Sequence, residues 1–491
     1  MTATAYPDPG TVPDLLAARA AGAAHRPAVR HRDTTLTWAE LAASVGRARA
    51  RLRRDGPAPG ARLGLLARND PGTLVALLAA TAEGREVVLY DARATADERA
   101  RVAARAGLTG WRTPGPDSGT AEAAGTGPPA AYLDLVTSGT GGLPKVVRKD
   151  WRVTVANAAA FVALAGYRGA DRILCTTPLH HAYALGVAVL PALLTGAALH
   201  LAPHPAAPAT LGRLIRDGGI TVVQSVPFLY RAVLASDVPL APNALRLCVS
   251  AGEPLSAATA DAWRDATGVA PRDQYGSTEF GQIGYAADAP GGPLRLLPGV
   301  TARLRAPDGG WLTAPGPDDL GELHLRQEGA MPVVYRGLPG LSAASHHDGW
   351  FRTGDTGRLP APGQLTVTGR VTRRISVAGR KVDPREVERA VLAVPGVREC
   401  WVAAPPEDAG GPGDRFAAFV AADAGVTEIA VRRQVARVLS AYKVPTRFHL
   451  RAALPRTGTG KVHTARLWQE AGEDRCHDRG PTGRAQEGGA V

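Results

Sequence analysis

Apolar runs of strand length alternate with helix-length amphipathic segments through most of this chain, and that alternation is the strongest constraint on its fold. Arg62-Leu63-Gly64-Leu65-Leu66 and Val87-Val88-Leu89 read as buried strands, with a helix from Gly72 to Ala82 between them. Upstream, Thr37 to Leu52 has helical spacing, and Thr37 with Glu40 has the spacing of a capping box. Ile173-Leu174-Cys175, Val222-Val223-Gln224-Ser225 and Leu247-Cys248-Val249 continue the pattern towards Ala286. A helix between two strands returns the chain across the sheet, so the strands run largely parallel and the expected class is α/β. From Gly299 to Leu365 strands and turns take over, as in a small β-barrel, and a compact α+β unit follows Gly369. Pro114 to Pro129 reads as a flexible connection. The polar, Gly-rich end from about Gln469 reads as disordered.

Composition narrows the function classes. A chain of 491 residues is too long for one core and long enough for two or three domains. Cys175, Cys248, Cys400 and Cys476 lie far apart with no CxxC pair, which argues against a disulfide framework or a cysteine metal site. With no secretory signal in Met1 to Leu16, a cytoplasmic location is expected. Ala182 to Pro203 lacks acidic and basic residues, but Pro191, Thr195 and His200 favour a buried helix leading into a strand over a membrane span. The net charge of +12 raises the question of nucleic acid. The arginines are dispersed and aromatics are 5%, so stacking platforms are sparse and no nucleic-acid partner is expected. Only five lysines occur, Lys145, Lys149, Lys381, Lys443 and Lys461. In an arginine-dominated chain, a retained lysine suits a place that needs a compact ammonium.

Thr137-Ser138-Gly139-Thr140-Gly141-Gly142-Leu143-Pro144-Lys145 follows the apolar strand Tyr132 to Val136. Its small residues expose backbone N–H groups and hydroxyls that can wrap phosphate oxygens, with the lysine as counter-charge. Pro144 precedes the lysine where a Walker A loop needs glycine. Further along stand Pro178-Leu179-His180-His181-Ala182-Tyr183-Ala184-Leu185, Ser250-Ala251-Gly252-Glu253-Pro254-Leu255 and Tyr275-Gly276-Ser277-Thr278-Glu279. They are followed by Trp350-Phe351-Arg352-Thr353-Gly354-Asp355, Gly369-Arg370, and Leu454 to Lys461.

In this order the segments resemble the motifs of the adenylate-forming superfamily, which includes acyl- and aryl-CoA ligases, adenylation domains and luciferases. The resemblance covers roughly Leu36 to Leu467. It implies a large N-terminal AMP-binding domain, 1–369, of two α/β subdomains plus a small β-barrel. A small mobile α+β domain, 370–468, follows, and 469–491 forms a tail. It implies ATP and Mg2+ as cofactors, with Thr137 to Gly142 and Lys145 on the phosphates. Gly252, Glu253, Pro254 and Gln274 to Ser277 line the nucleotide site, and Tyr275 stacks on adenine. Thr278 contacts the α-phosphate, Glu279 holds Mg2+, Asp355 accepts from the ribose hydroxyls, and Arg370 reaches the ribose or phosphate.

By the same resemblance His181, Phe228, Tyr230, Ser250, Ala251 and Gly252 border the acyl pocket, and Lys461 is the catalytic lysine. Gly379-Arg380-Lys381 faces the acceptor, which is CoA or a carrier-protein phosphopantetheine. For His181 a satisfied core histidine, and for Phe228 and Tyr230 core packing, are competing readings. The chain departs from the pattern at Gly141, Val146, Thr372, Ser376 and Ala184. The expected reaction is activation of a carboxylic acid, small aromatic or short acyl, as its acyl-AMP with pyrophosphate release, then transfer to a thiol. The alternatives are an adenylate-forming ligase with a nitrogen acceptor and a non-catalytic nucleotide- or acyl-binding relative.

Overall fold

The computed structural model describes residues 11–56, 62–108, 110–113, 132–137, 145–286, 292–329, 332–371, 375–377, 380–382, 384–405, 416–439, 441–457 and 461–477. Two compact units divide the chain. The first is Met1–Thr353 with Arg358–Thr366, and the second is Gly354–Gly357 with Val367–Val491.

The first unit carries two sheets. In one, Arg62–Ala67 pairs in parallel with Glu86–Asp91, which pairs in parallel with Tyr132–Thr137. In the other, the parallel strands Val222–Ser225 and Leu247–Ser250 are adjacent, flanked by Arg172–Cys175 and Pro271–Ser277. The expected alternation is thus realised. Thr37 caps the helix Trp38–Asp55, its hydroxyl accepting from Glu40 N while the Glu40 carboxylate accepts from Thr37 N. The apolar face Trp38, Leu41 and Val45 is buried. Leu63 to Ala67 and Val87 to Leu89 are buried along their whole length, as a strand covered on both faces requires.

Ala182 to Thr195 is helical and ends at Gly196, then leads into the strand Ala198–Leu201. Among the described residues no helix is long and apolar enough to cross a membrane. The strand-rich stretch is antiparallel and joins the larger sheet, with Leu294 opposite Leu365. Asn69 ties the two sheets together. Its amide donates to the carbonyls of Thr177 and Ala202 and accepts from Leu179 N, which fixes the approach to the His180-His181 segment.

In the second unit, strands Val397–Ala403, Ala417–Ala422 and Arg447–Arg451 form a sheet with one antiparallel and one parallel pair. Its core gathers Val382, Val387, Val391, Val402, Phe416, Val420, Val431 and Val435. The tail expected to be disordered from Gln469 is corrected in part. A helix runs from Thr464 to His477, because Leu467 and Ala471 bury themselves with Phe419 and Leu454. The connection 114–129 lies outside the described residues.

Candidate functional site

The Gly-rich loop is closed by its own hairpin. Thr137 and Lys145 are register partners at the end of the antiparallel ladder between Tyr132–Thr137 and Lys145–Asp150. Ser138, Gly139, Thr140, Gly141 and Gly142 lie outside the described residues. Lys145 holds its ammonium 5.5 Å from the centre of the Tyr335 ring.

Tyr335 also reaches the acidic motif. Thr278, Glu279 and Phe280 turn the chain between Pro271–Ser277 and Gly281–Ala286, and Ser277 Oγ accepts from Phe280 N. The Tyr335 hydroxyl donates to Glu279 Oε1 at 3.1 Å. Burial first, and the Glu279 charge second, push the Tyr335 phenol far above its ordinary pKa, which keeps it the donor. From the other side Lys149 Nζ donates to the Glu279 carbonyl at 2.8 Å. Burial lowers the Lys149 ammonium to about 8, with Glu279 opposing the shift, so it remains mostly charged at neutral pH.

What holds Tyr335 is a buried ion network beneath it. Val334 and Tyr335 pair with Arg148 and Val147, and Arg336 N donates to the Val146 carbonyl. The Arg336 guanidinium donates to Asp134 Oδ2 and Glu86 Oε2, both at 2.7 Å. Arg62 and Arg148 complete the cluster around Glu86. Asp134 is fully buried, and burial raises its carboxyl to about 6 against the pull of Arg336. Arg336→Met is expected to cost about 3 kcal/mol, the penalty for a buried carboxylate that loses its cation. Urea unfolding measures it; a loss below about 1 kcal/mol, within the range of surface pairs, would show that the network carries no load.

The remaining motif residues are distributed as follows. Ser250 ends a buried strand with its hydroxyl buried and without a partner among the described residues, and Ala251 is buried beside it. Gly252 then turns with φ +92, a conformation that favours glycine, and leaves Glu253 half-buried and Pro254 exposed. Tyr275 and Gly276 stand in the strand after Gln274, whose side chain is buried and donates to the Tyr275 carbonyl at 2.6 Å.

His181 stands at the entry of a helix with its ring 4.2 Å from that of His180. Burial drives His180 down to about 4, so it is neutral at physiological pH. Phe228 is 37% exposed. Tyr230 shows the packing of the competing core reading. Its hydroxyl donates to the Val249 carbonyl and its ring packs edge-on against Trp263 at 4.6 Å. It belongs to the core with Leu211, Ile215 and Cys248 rather than to a pocket wall, because Pro227, Tyr230 and Val233 share the buried face of their helix.

A cavity of about 290 Å3 opens beside His180, at the ends of the parallel strands. Arg32, Arg68, Arg93 and His204 line it, with Asp91 paired to Arg93 at 3.0 Å.

In the second unit, Asp355 is buried and accepts from Arg370 Nε at 2.8 Å. Lys461 is exposed, and its carbonyl closes a turn by accepting from Thr457 N at 2.7 Å. Arg380 and Lys381 lie on a short hairpin opposite Val377 and Ser376. Gly379 and Thr372, like the side chains of Ser376, Arg380 and Lys381, lie outside the described residues. Sequence reasoning did not single out Tyr335 or Arg336, which sit outside every quoted motif, and it noted Lys149 only as one of few lysines.

The family profile described as AMP-binding enzyme matches residues 16–110 and 127–335, and that of the AMP-binding enzyme C-terminal domain matches 386–461. The chain is 32% identical over 352 residues to a sulfoacetate–CoA ligase of Cupriavidus necator, covering 70% of this chain and 68% of that one. It is 29% identical over 484 residues to a feruloyl-CoA synthase of an Amycolatopsis species, covering 90% and 96%. Its fold matches the crystal structure of ATP-bound MatB from Rhodopseudomonas palustris with a TM-score of 0.82, 25% identity, and coverage of 93% and 98%.

Proposed function

The chain belongs to the AMP-binding, adenylate-forming enzyme family, and on that premise we propose that it activates a small aromatic or short acyl acid with ATP and passes the acyl group to the thiol of CoA. One observation carries this reading. Tyr335 touches both Lys145, at the root of the phosphate loop, and Glu279, so the two charged groups needed at a triphosphate are gathered at one place.

The donor set fits Mg2+. A hard cation takes carboxylate oxygen and keeps several waters, so Glu279 with the phosphates is sufficient. No cluster of three or more His, Cys, Asp or Glu side chains suited to a metal occurs among the described residues. When bound, that ion neutralises charge on the departing pyrophosphate.

The chain's own groups do the rest by positioning and charge. Thr137 and the loop hold the phosphates, with Lys145 as counter-charge. Tyr275 offers adenine its ring, Thr278 donates to the α-phosphate, and His181 borders the acid. Asp355 accepts from the ribose, with Arg370 beside it, and Lys461 bridges the attacking carboxylate and the α-phosphate. After adenylation the second unit exchanges Lys461 for the surface around Gly379-Arg380-Lys381, which admits the acceptor. Arg32, Arg68 and Arg93 in the larger cavity favour an acceptor that carries phosphates, and CoA carries more of them than a phosphopantetheine arm.

Pyrophosphate release across a panel of acids, repeated with CoA, a carrier protein and amines, tests the proposal. A CoA thioester in the product supports it; release that depends on an amine and ignores CoA overturns the acceptor assignment. Asp355→Ala is expected to raise the Kd for ATP about 30-fold, the loss of a charged hydrogen-bond acceptor. An unchanged affinity in calorimetry would place the ribose elsewhere.

A further inference from the structure

Behind the acidic motif is a second, much smaller cavity, of about 20 Å3. Part of its wall comes from residues near three motifs, and Lys149, Val153, Thr154 and Asn157 supply another part. Leu135 precedes Thr137, Ala182 follows His181, and Phe280, Gly281 and Gln282 follow Glu279. It is thus a dead end behind the place where the acid is activated. Its volume admits about one water-sized group.

Two polar side chains in its wall are under-used. Lys149 is buried, and its only hydrogen bond among the described residues is the one to the Glu279 carbonyl, although an ammonium has three donors. It has no ion-pair partner within salt-bridge distance among those residues. Gln282 is 4% exposed, and its backbone is fully engaged with the Asn157 amide. Its own side-chain amide has no hydrogen-bond partner among the described residues. A side chain at Gly186 would overlap that amide, so glycine there makes room for it. An amide with unused hydrogen-bonding capacity and a buried ammonium with spare donors, its counter-charge Glu279 lying beyond salt-bridge distance, line one cavity.

We propose that Lys149 and Gln282 bind an acidic oxygen at the far end of the acid, so that the substrate is a small carboxylic acid bearing a second acidic oxygen group. The inference rests on the acid-activating reading above and specifies its substrate. A phenolic hydroxyl on a benzoate ring and a second anion on a short chain present the same chemistry to the pair. The cavity has room for one such oxygen and for little else.

The test measures pyrophosphate release by the full chain with 3- and 4-hydroxybenzoate against benzoate, and with sulfoacetate against acetate. In at least one pair the substituted acid is expected to lead in kcat/KM by about 100-fold, since a site built to pair a polar group rejects the analogue that lacks it. Which pair shows the preference tells a phenol from an anion. Lys149→Met should bring that ratio close to one, and Gln282→Leu should lower it about tenfold. A role confined to packing would lower both rates of a pair together and leave their ratio unmoved. Turnover of the acids with no preference in the wild-type chain, or a preference that survives Lys149→Met, overturns the inference. That wild-type measurement stands even if a variant does not fold. If no acid of any kind supports release, the acid-activating reading falls as well, which separates the two failures.

Discussion

Lys461→Ala is expected to lower acid-dependent pyrophosphate release by about three orders of magnitude, the scale for losing one placed charge in a transition state. It should leave transfer from a supplied acyl-adenylate within about tenfold, because in the proposed mechanism Lys461 has been exchanged away before the acceptor attacks. The reasoning starts from charge. An anionic carboxylate must approach a polyanionic triphosphate, and negative charge builds on the α-phosphate as the new bond forms. An ammonium at that point lowers the barrier in proportion to how close it sits.

Lys461 is exposed, and the turn that presents it is closed by backbone, with Thr457 N donating to the Lys461 carbonyl. Arg456 is paired with Glu399 at 2.6 Å and Leu454 is buried, so the turn has anchors besides Lys461. Stopped-flow measurement of the two half-reactions separates the outcomes. Equal loss in both would sink the exchange of active surfaces between half-reactions.

The fold was largely legible because its signals are local. A capping box such as Thr37 with Glu40, or a run such as Leu63 to Ala67, carries its cause within a few residues. The helix Thr464–His477 was missed at its end because what stabilises it is distant. Ala471 packs with Phe419, far from it in the chain, and nothing near Gln469 announces that contact. The site divided in the same way. Motifs that turn or cap reveal themselves, as Gly252 does with its positive φ. Tyr230 stayed open between two readings because an aromatic on a short helix fits a pocket wall and a core equally well until its face is known. Tyr335 was invisible for the opposite reason. Its importance lies in a hydroxyl that meets Glu279, 56 positions earlier, and in the Arg336–Asp134 pair that holds its strand.

That geometry makes Glu279→Gln the sharper test of the metal assignment. Glutamine keeps the shape and retains an oxygen to accept from the Tyr335 hydroxyl, and the Glu279 carbonyl still accepts from Lys149. What disappears is one negative charge and with it the hard anionic oxygen that Mg2+ prefers. Acid-dependent pyrophosphate release is therefore expected to fall by about three orders of magnitude at ordinary Mg2+, since charge neutralisation by the ion contributes several kcal/mol. The Mg2+ concentration for half-maximal rate should rise at least about tenfold, the change that weakened metal support typically brings. Tyr335→Phe offers the contrast. It keeps the charge and removes only the hydrogen bond that aims it, so a fall of about tenfold is expected, the scale of one such bond. Titration of rate against Mg2+ for the three proteins decides between charge and orientation. If Glu279→Gln leaves the half-maximal concentration where it was, Glu279 is not the metal ligand, and its bond to Tyr335 serves only to fix the turn.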